Sequence, residues 1–260
     1  MWPQALALSR TPYAPPPEPT LRVVAPAGEN ERRCAPRGEI ATNTDPTGLW
    51  SLVVPLKPLA HGKSRLRRAA GDLLRPRLAL AFAQDTVAAA LSCGGVRDVV
   101  VVTDDPVAAA ALAALGARTV PDEPAAGLNA ALAHGERAVR GRRPAAAVAA
   151  LNADLPALRP EELARVLENA AEFPRAFVTD AAGIGTTFLS ASPGVELRPA
   201  FGGLSRARHL SSGAVEITSA GIESVRQDVD TGDDLRAAVR LGVGPHTAGR
   251  WATGVPARDR

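Results

Sequence analysis

The sequence predicts an α/β fold in which helices cover both faces of a mostly parallel sheet. Three observations lead there. From Leu49 onward, short apolar runs alternate with longer Ala-rich stretches of helical length, the β-α-β-α rhythm of parallel sheets. Lys57, Asp104 and Asp154 stand just beyond three of the apolar runs, and such sheets bind ligands beyond the carboxyl ends of their strands. Of the 260 residues, 46% are hydrophobic but only 3% aromatic, so the core is to be built from Ala, Val and Leu with close helix–sheet packing.

Residues 1–48 carry Pro15-Pro16-Pro17 and show neither helical nor strand periodicity. They read as a disordered Pro-rich extension or the product of an upstream start codon that adds nothing to the fold, with a partner-binding segment as the alternative. The folded domain is expected over 49–244, and 245–260 as a tail. Leu49 to Pro55 is the first strand, followed by a helix over about 76–92. The strand Val99–Val102 ends at Thr103-Asp104-Asp105, and these two acids are placed to cap a helix over 106–115 that opens with Pro106. A short strand near 118–120 leads to a helix over 127–140. The next strand, 146–151, ends at Asn152-Ala153-Asp154. A helix over 160–171 and a strand over 176–179 continue the pattern. Between 180 and 218 the alternation loosens into an expected strand–loop–helix excursion over the sheet edge, with Ser205 capping a short helix (206–211). A last helix covers 233–241.

Charge and cysteine content exclude several classes. Thirty Lys and Arg against 27 Asp and Glu leave a net charge of +3, without the basic, aromatic-interleaved stripe of a nucleic-acid binder. An anionic small substrate accounts for the balance. Cys34 and Cys93 have no companion at metal-ligand spacing, which excludes a zinc site and a disulfide scaffold and fits a reducing cytoplasm. No apolar span reaches the roughly 18 residues of a transmembrane helix, and no basic start precedes the N-terminal apolar patch. The expectation is a cytoplasmic protein without membrane or nucleic-acid partners.

The stretch LWSLVVPLKPLAHGKSRL (49–66) is the richest in chemistry. A buried strand delivers Lys57, Lys63 and Arg65 to its carboxyl end, with Ser64 placed to open a helix. Gly62-Lys63-Ser64 spells the end of a P-loop, but Lys57 stands where that motif needs its first glycine. Arg67 and Arg68 read as a solvated helix face. Among the acids, Asp154 precedes Leu155-Pro156, and Asp228 and Asp230 stand two apart, on one side of an extended segment. Asp154 with Asp230 would supply the carboxylate pair that holds magnesium on nucleotide phosphates; the competing reading makes Asp230 part of a helix start. Gly183-Ile184-Gly185-Thr186-Thr187 and Phe201-Gly202-Gly203-Leu204-Ser205 offer amides and hydroxyls to an anion. Gly183–Gly185 lacks the third glycine of a dinucleotide fingerprint. The four histidines form neither a triad nor H-E-x-x-H, and no serine sits in a nucleophile elbow. His209 reads as a surface helix residue, with a place beside the anion site as the alternative.

VPLKPLAHGKSRL, VVVVTDD, PDEPAAGLNAAL, LNADLPAL, GIGTTFL, FGGLSRARH and DVDTGDDL together resemble one family, in order from about Leu49 to Gly244. It is the guanylyltransferases of coenzyme F-420 biosynthesis that act on phosphoenolpyruvate or 2-phospho-L-lactate. The resemblance implies a three-layer, Rossmann-like nucleotidyltransferase of GT-A type and a one-step transfer of GMP from GTP that releases pyrophosphate. It implies Mg2+ on Asp154 and Asp230, and Lys57 and Lys63 against the triphosphate, these four being the catalytic residues. Gly127-Leu128-Asn129 matches a segment expected near the nucleoside. Thr187, Gly202 and Ser205 match the cradle for the acceptor's phosphate and carboxylate, with Thr186 an equivalent neighbour. The Ala/Arg/Gly-rich composition favours phosphoenolpyruvate, and a pathway enzyme that accepts the unstable product is the expected partner. Against a sugar-nucleotide or molybdopterin nucleotidyltransferase stands Val54-Pro55-Leu56-Lys57-Pro58, where those have a glycine-rich loop. A non-catalytic nucleotide-binding module is the remaining rival.

Overall fold

The computed structural model describes residues 49–60, 63, 66–123 and 125–254, all within one compact unit. The Pro-rich extension, Cys34, Ser64 and Arg65 lie outside the described residues, as do the side chains of Arg67 and Arg68. The elements run β1 (Trp50–Pro55), α1 (Arg67–Leu91), β2 (Val96–Val102), α2 (Pro106–Ala113), β3 (Arg118–Val120), α3 (Leu128–Arg140), β4 (Ala147–Leu151) and α4 (Pro160–Ala170). They continue with β5 (Arg175–Thr179), β6 (Thr186–Ala191), α5 (Ser205–Ser211), β7 (Val215–Glu216), α6 (Glu223–Arg226), α7 (Gly232–Leu241) and α8 (Pro245–Gly254). One seven-stranded sheet has the order β3-β2-β1-β4-β6-β5-β7. Every pairing is parallel except those of β6, which runs antiparallel to both β4 and β5.

The strand pleat sorts the aliphatic core into two layers. Leu52, Val54, Val99, Val101 and Leu151 face α1 and α4, where they meet Val87, Leu163 and Leu167. Val53, Val100, Val102, Val148 and Ala150 face the other way, toward Leu132 and Val139 of α3. Burial on both faces is why these strands are nearly pure apolar runs. α3 comes close enough that a Cβ on Gly135 would lie 2.3 Å from Val53 Cγ1. Small residues take the place of the missing aromatics at that contact.

A third apolar cluster positions the functional edge. Leu66, Leu78, Phe82, Ala157, Val229, Leu235 and Ala238 pack together, with Trp251 against them. It joins the start of α1, the turn after β4, the segment before α7, and α8.

Four local expectations are corrected. The first helix begins at Arg67 rather than near 76, with a break at Gly71, whose φ of 68° is open to glycine. Residues 245–254, read as tail, form α8 and pack on α1; its first amides, on His246 and Thr247, donate to the Asp85 carboxylate at 3.0 and 2.8 Å. A cap supplied from 161 residues away leaves no local signal. Asp105 alone caps α2, through Val107 and Ala108, while Asp104 accepts the Asp122 amide at 2.8 Å. Ser205 lies inside α5, whose N-cap is Leu204 with no side-chain bond.

Gly135→Ala should lower the urea midpoint, since overpacking against a β-branched buried neighbour costs about 1–3 kcal/mol against roughly 1 kcal/mol gained in helix propensity. An unchanged or higher midpoint would show that Val53 yields to the added methyl.

Candidate active site

Lys63 lies between two carboxylates. Its Nζ donates to Asp154 Oδ2 and, at 2.7 Å, to Asp230 Oδ1. The Leu66 amide donates to the Lys63 carbonyl at 2.9 Å, so burial of Leu66 in the third cluster fixes the lysine. Asp154 follows β4, and its carbonyl accepts the Val229 amide at 3.0 Å. That bond joins the two acidic segments directly. α7 is capped by Thr231, which forms a capping box with Asp234. The helix-start role therefore belongs to Thr231, and Asp230 is left to reach Lys63. Burial alone would push the Lys63 ammonium down, but Asp154 and Asp230 outweigh it and hold it above the usual lysine range.

Asp228 belongs to the same site, although the sequence pointed to Asp154 and Asp230 as the metal pair. Burial, then the negative charges of Asp154 and Asp230, push its carboxyl up to about 8. Its two-residue spacing from Asp230 was the available signal. Among the described residues, no three His, Cys, Asp or Glu side chains converge as a ready-made metal cage. The Asp154–Asp230 pair nevertheless suits magnesium, which takes one or two carboxylates plus water and phosphate oxygens. The two groups already share one cation, and Asp154 Oδ1 is buried without a hydrogen-bond partner among the described residues.

Lys57 is exposed beyond β1. Its loop is bolted down at Leu59, whose amide donates to Asp105 Oδ2 at 2.9 Å. Beside it, a cavity of about 310 Å³ opens over the ends of β2 and β3, lined by Thr103, Asp104, Thr119, Val120 and Pro121 among others. Asn129, expected near the nucleoside, clamps a loop instead: Oδ1 accepts the Phe201 amide at 2.8 Å, and Nδ2 donates to the Phe201 carbonyl at 3.2 Å. A second cavity, of about 330 Å³ between α6 and α7, contains none of the expected residues.

The reversed direction of β6 brings its start, not its end, to this edge. The Asn152 amide donates to the Thr187 carbonyl at 2.9 Å, so Thr186 and Thr187 stand two to three residues' reach from Asp154. Thr187 Oγ1 is buried and unpartnered among the described residues. Gly202 and Gly203 adopt φ of 91° and 48°, which turns the loop between Phe201 and α5. Arg208 donates to the Gly202 carbonyl. Ser205 Oγ donates to Thr186 Oγ1 at 3.1 Å. The amides of Ile184 and Gly185 are spent on the Asp180 carboxylate, so the Gly183–Gly185 turn is structural.

His209 is not a surface residue. It is fully buried, with Nδ1 2.9 Å from Thr186 Oγ1 and Nε2 accepting the Ala200 amide at 3.0 Å. The rings of Phe177 and Phe201 flank it, with centroids 5.6 and 5.2 Å away. Burial, then Arg175 and Arg208, lower its pKa from 6.5 to about 4.

A folded-state value below the unfolded one means that the unfolded chain takes up the proton first as pH falls. Stability should therefore drop between about pH 6.5 and 4 by roughly 3 kcal/mol from His209, and not further below. Urea midpoints across that range should show the extra fall in the native protein and its absence in His209→Gln. Parallel curves would contradict a neutral buried imidazole.

Residues 63–215 match the family model of the MobA-like NTP transferase domain. A phosphoenolpyruvate guanylyltransferase of Streptomyces avermitilis is 72% identical over 76% of this chain and 92% of its own. Its counterpart in Thermomonospora curvata is 59% identical over 80% of this chain and 91% of its own. In fold, the chain resembles a nucleotidyl transferase from Methanothermobacter thermautotroptrophicus at a TM-score of 0.54 and 23% identity, over 74% of this chain and 97% of that one. The sheet order, the strand-end acids and these relatives together place the chain in the phosphoenolpyruvate guanylyltransferase family, within the MobA-like NTP transferases.

Proposed function

We propose that this protein transfers GMP from GTP to phosphoenolpyruvate, releasing pyrophosphate, as a cytoplasmic step of coenzyme F-420 biosynthesis. One observation carries the reading: Asp154 and Asp230, from distant segments, clasp a single cation at the carboxyl end of the sheet. Among the described residues, no helix is long and apolar enough to cross a membrane.

A phosphate oxygen of the acceptor attacks the α-phosphorus of GTP; that P–O bond forms as the bond to the bridging oxygen of pyrophosphate breaks. A phosphate nucleophile is already ionised, so no general base is needed. The protein's work is positioning and charge neutralisation. Asp154 and Asp230 would hold Mg2+, which when bound supplies positive charge to the α-phosphate and leaving oxygens. Lys57 and Lys63 neutralise the triphosphate as point charges. For Lys63 this means exchanging a carboxylate partner for phosphate. The cavity beyond β2 and β3 is of a size to take the nucleoside. Asn129, at the start of α3, holds the Phe201 loop that leads into the acceptor cradle. Thr187, Gly202 and Ser205 cradle the acceptor, and the unpartnered Thr187 hydroxyl is a donor waiting for an anion. The product joins GMP to the acceptor through a new P–O–P anhydride that also carries the enol ester, and its instability favours direct hand-over to the enzyme that consumes it.

The names of the relatives favour phosphoenolpyruvate over 2-phospho-L-lactate, which presents the same phosphate and carboxylate. The loop Pro55-Leu56-Lys57-Pro58 speaks against the sugar-nucleotide and molybdopterin types.

Purified protein with Mg2+ and GTP should release pyrophosphate on addition of phosphoenolpyruvate, and mass spectrometry should find the guanylylated acceptor. Release with 2-phospho-L-lactate alone would correct the substrate, and release with neither would overturn the reading. Asp154→Asn should cost at least about 10²–10³-fold in kcat with an unchanged melting temperature. Near-normal turnover would remove Asp154 from the chemistry.

A further inference from the structure

Three hydroxyl- or imidazole-bearing side chains behind the acceptor cradle form a continuous chain that the transfer reaction does not by itself require. His209 lies beneath Thr186, and Thr186 beneath Ser205, with heavy-atom separations of 2.9 and 3.1 Å. All three residues are at least about 95% buried, with exposures of 0%, 5% and 1%. Only the Ser205 end lies at the cradle, between the Gly202-Gly203 turn and the start of β6.

The far end of the chain is fixed. His209 Nε2 accepts the Ala200 amide at 3.0 Å, so in a neutral ring the proton resides on Nδ1 and is donated to Thr186 Oγ1. A backbone N–H cannot reverse its direction, so neither can the imidazole. Burial, then the charges of Arg175 on β5 and Arg208 on α5, keep the imidazole neutral. Thr186 Oγ1, already receiving a proton from His209, retains its own hydrogen to give away. Ser205 donates to Thr186 in the ligand-free protein. Once Thr186 donates instead, the Ser205 hydrogen is released toward the cradle. With the opposite tautomer, Thr186 would have to donate to Nδ1. Ser205 would then be held as a donor to Thr186 and would show only lone pairs to an incoming anion.

We propose that His209 is a positioning residue for the acceptor: through Thr186 it directs the Ser205 hydroxyl to donate to the acceptor's phosphate or carboxylate. The chain of donors runs Ala200 N–H to His209, His209 Nδ1–H to Thr186, Thr186 O–H to Ser205, and Ser205 O–H to the anion. The Ala200 amide precedes Phe201, which Asn129 clamps from α3. The imidazole therefore also ties hydroxyl direction to the placement of the Gly202-Gly203 turn. This inference rests on the acceptor assignment made above.

Two substitutions separate the ring's functions. His209→Gln sets an amide at the level of Nε2, where its oxygen keeps the Ala200 bond, but it loses the donor to Thr186. His209→Asn keeps a donor at the level of Nδ1 and loses the Ala200 acceptor. His209→Gln should raise KM for phosphoenolpyruvate roughly ten- to a hundred-fold, the weight of a hydrogen bond to a charged group, with KM for GTP unchanged. His209→Asn should recover most of that loss. An unchanged acceptor KM in His209→Gln would overturn the proposal, as would equal rises in both KM values. ¹⁵N spectra of histidine-labelled native protein at neutral pH give an activity-independent reading. Protonation on Nδ1 is expected, and protonation on Nε2 would overturn the relay. Absence of guanylyl transfer in the native protein would instead defeat the acceptor assignment, leaving the tautomer to be read from the spectrum alone.

Discussion

The hydrogen bond from the Val229 amide to the Asp154 carbonyl, 3.0 Å long, is the constraint on which the site depends. It is a bond between main chains 75 residues apart in sequence, so it sets register rather than orientation alone. Val229 contributes a buried side chain to the cluster that also takes in Leu66, Ala157 and Leu235. Slip this segment by one residue and an acidic side chain would enter that cluster while Val229 entered water. Burial of one Val is worth roughly 1.5–3 kcal/mol, and burial of an unpaired carboxylate costs more. The same alternation that buries Val229 leaves Asp228 and Asp230 flanking it. Leu66 does for Lys63 what Val229 does for the acids. A hydrophobic cluster with no chemistry of its own therefore assembles three charged groups from three distant segments.

The parallel half of the sheet was legible for the reason that made it fold. Strands buried on both faces must be apolar throughout, so β1, β2 and β4 appear as Val- and Ala-rich runs with polar residues starting where burial stops. Lys57, Asp104 and Asp154 were found by that rule. β6 defeats it, because an antiparallel strand brings its first residues to the functional edge. Thr186 and Thr187 precede Phe188 and Leu189, and strand periodicity does not bring them to an edge. Glycines and hydroxyls in 183–187 and 201–205 pointed to an anion, and only the likeness to a family named Thr187, Gly202 and Ser205 as an acceptor cradle.

Other misses share one physical cause: a polar side chain satisfied by a partner remote in sequence. His209 on a short helix with Arg206 and Arg208 looks solvated, and its burial follows only from Phe177 on β5 and Phe201 in the preceding loop. Asn129 opens α3 where a nucleoside contact was expected, yet its amide is matched to the main chain of Phe201. Residues 245–254 read as tail because the cap that starts α8 is Asp85, far away on α1. Asp230 is the instructive opposite. Its helix-start reading was reasonable, but Thr231 fills that role, and displacement by one residue lets its carboxylate take Lys63.

The order of strands arranges the edge as a line. β3 and β2 hold the cavity assigned to the nucleoside, β1 and β4 hold Lys57, Lys63 and Asp154, and β6 with α5 holds the cradle assigned to the acceptor. In-line displacement at phosphorus needs the acceptor oxygen opposite the departing pyrophosphate, and under the proposed assignment the acceptor cradle at β6 lies apart from the lysines that would meet the triphosphate. The nucleoside, which stays on the transferred phosphate, has its own place beyond β2 and β3. Along this line Lys57, Lys63, Asp154 and Asp230 gather in the middle, while the outer stations add Asp104 and Asp105 on one side and hydroxyls, glycine turns and Arg208 on the other. Each outer station is pinned to the centre by main-chain or buried polar bonds: Leu59 to Asp105 on one side, Thr187 to Asn152 on the other. Asn129 on α3, the helix packed against β1 and β2, holds the Phe201 loop of the acceptor side. A rigid frame of this kind suits a reaction whose barrier is lowered by holding two anions at a set distance, since like-charged reactants gain nothing from freedom to separate.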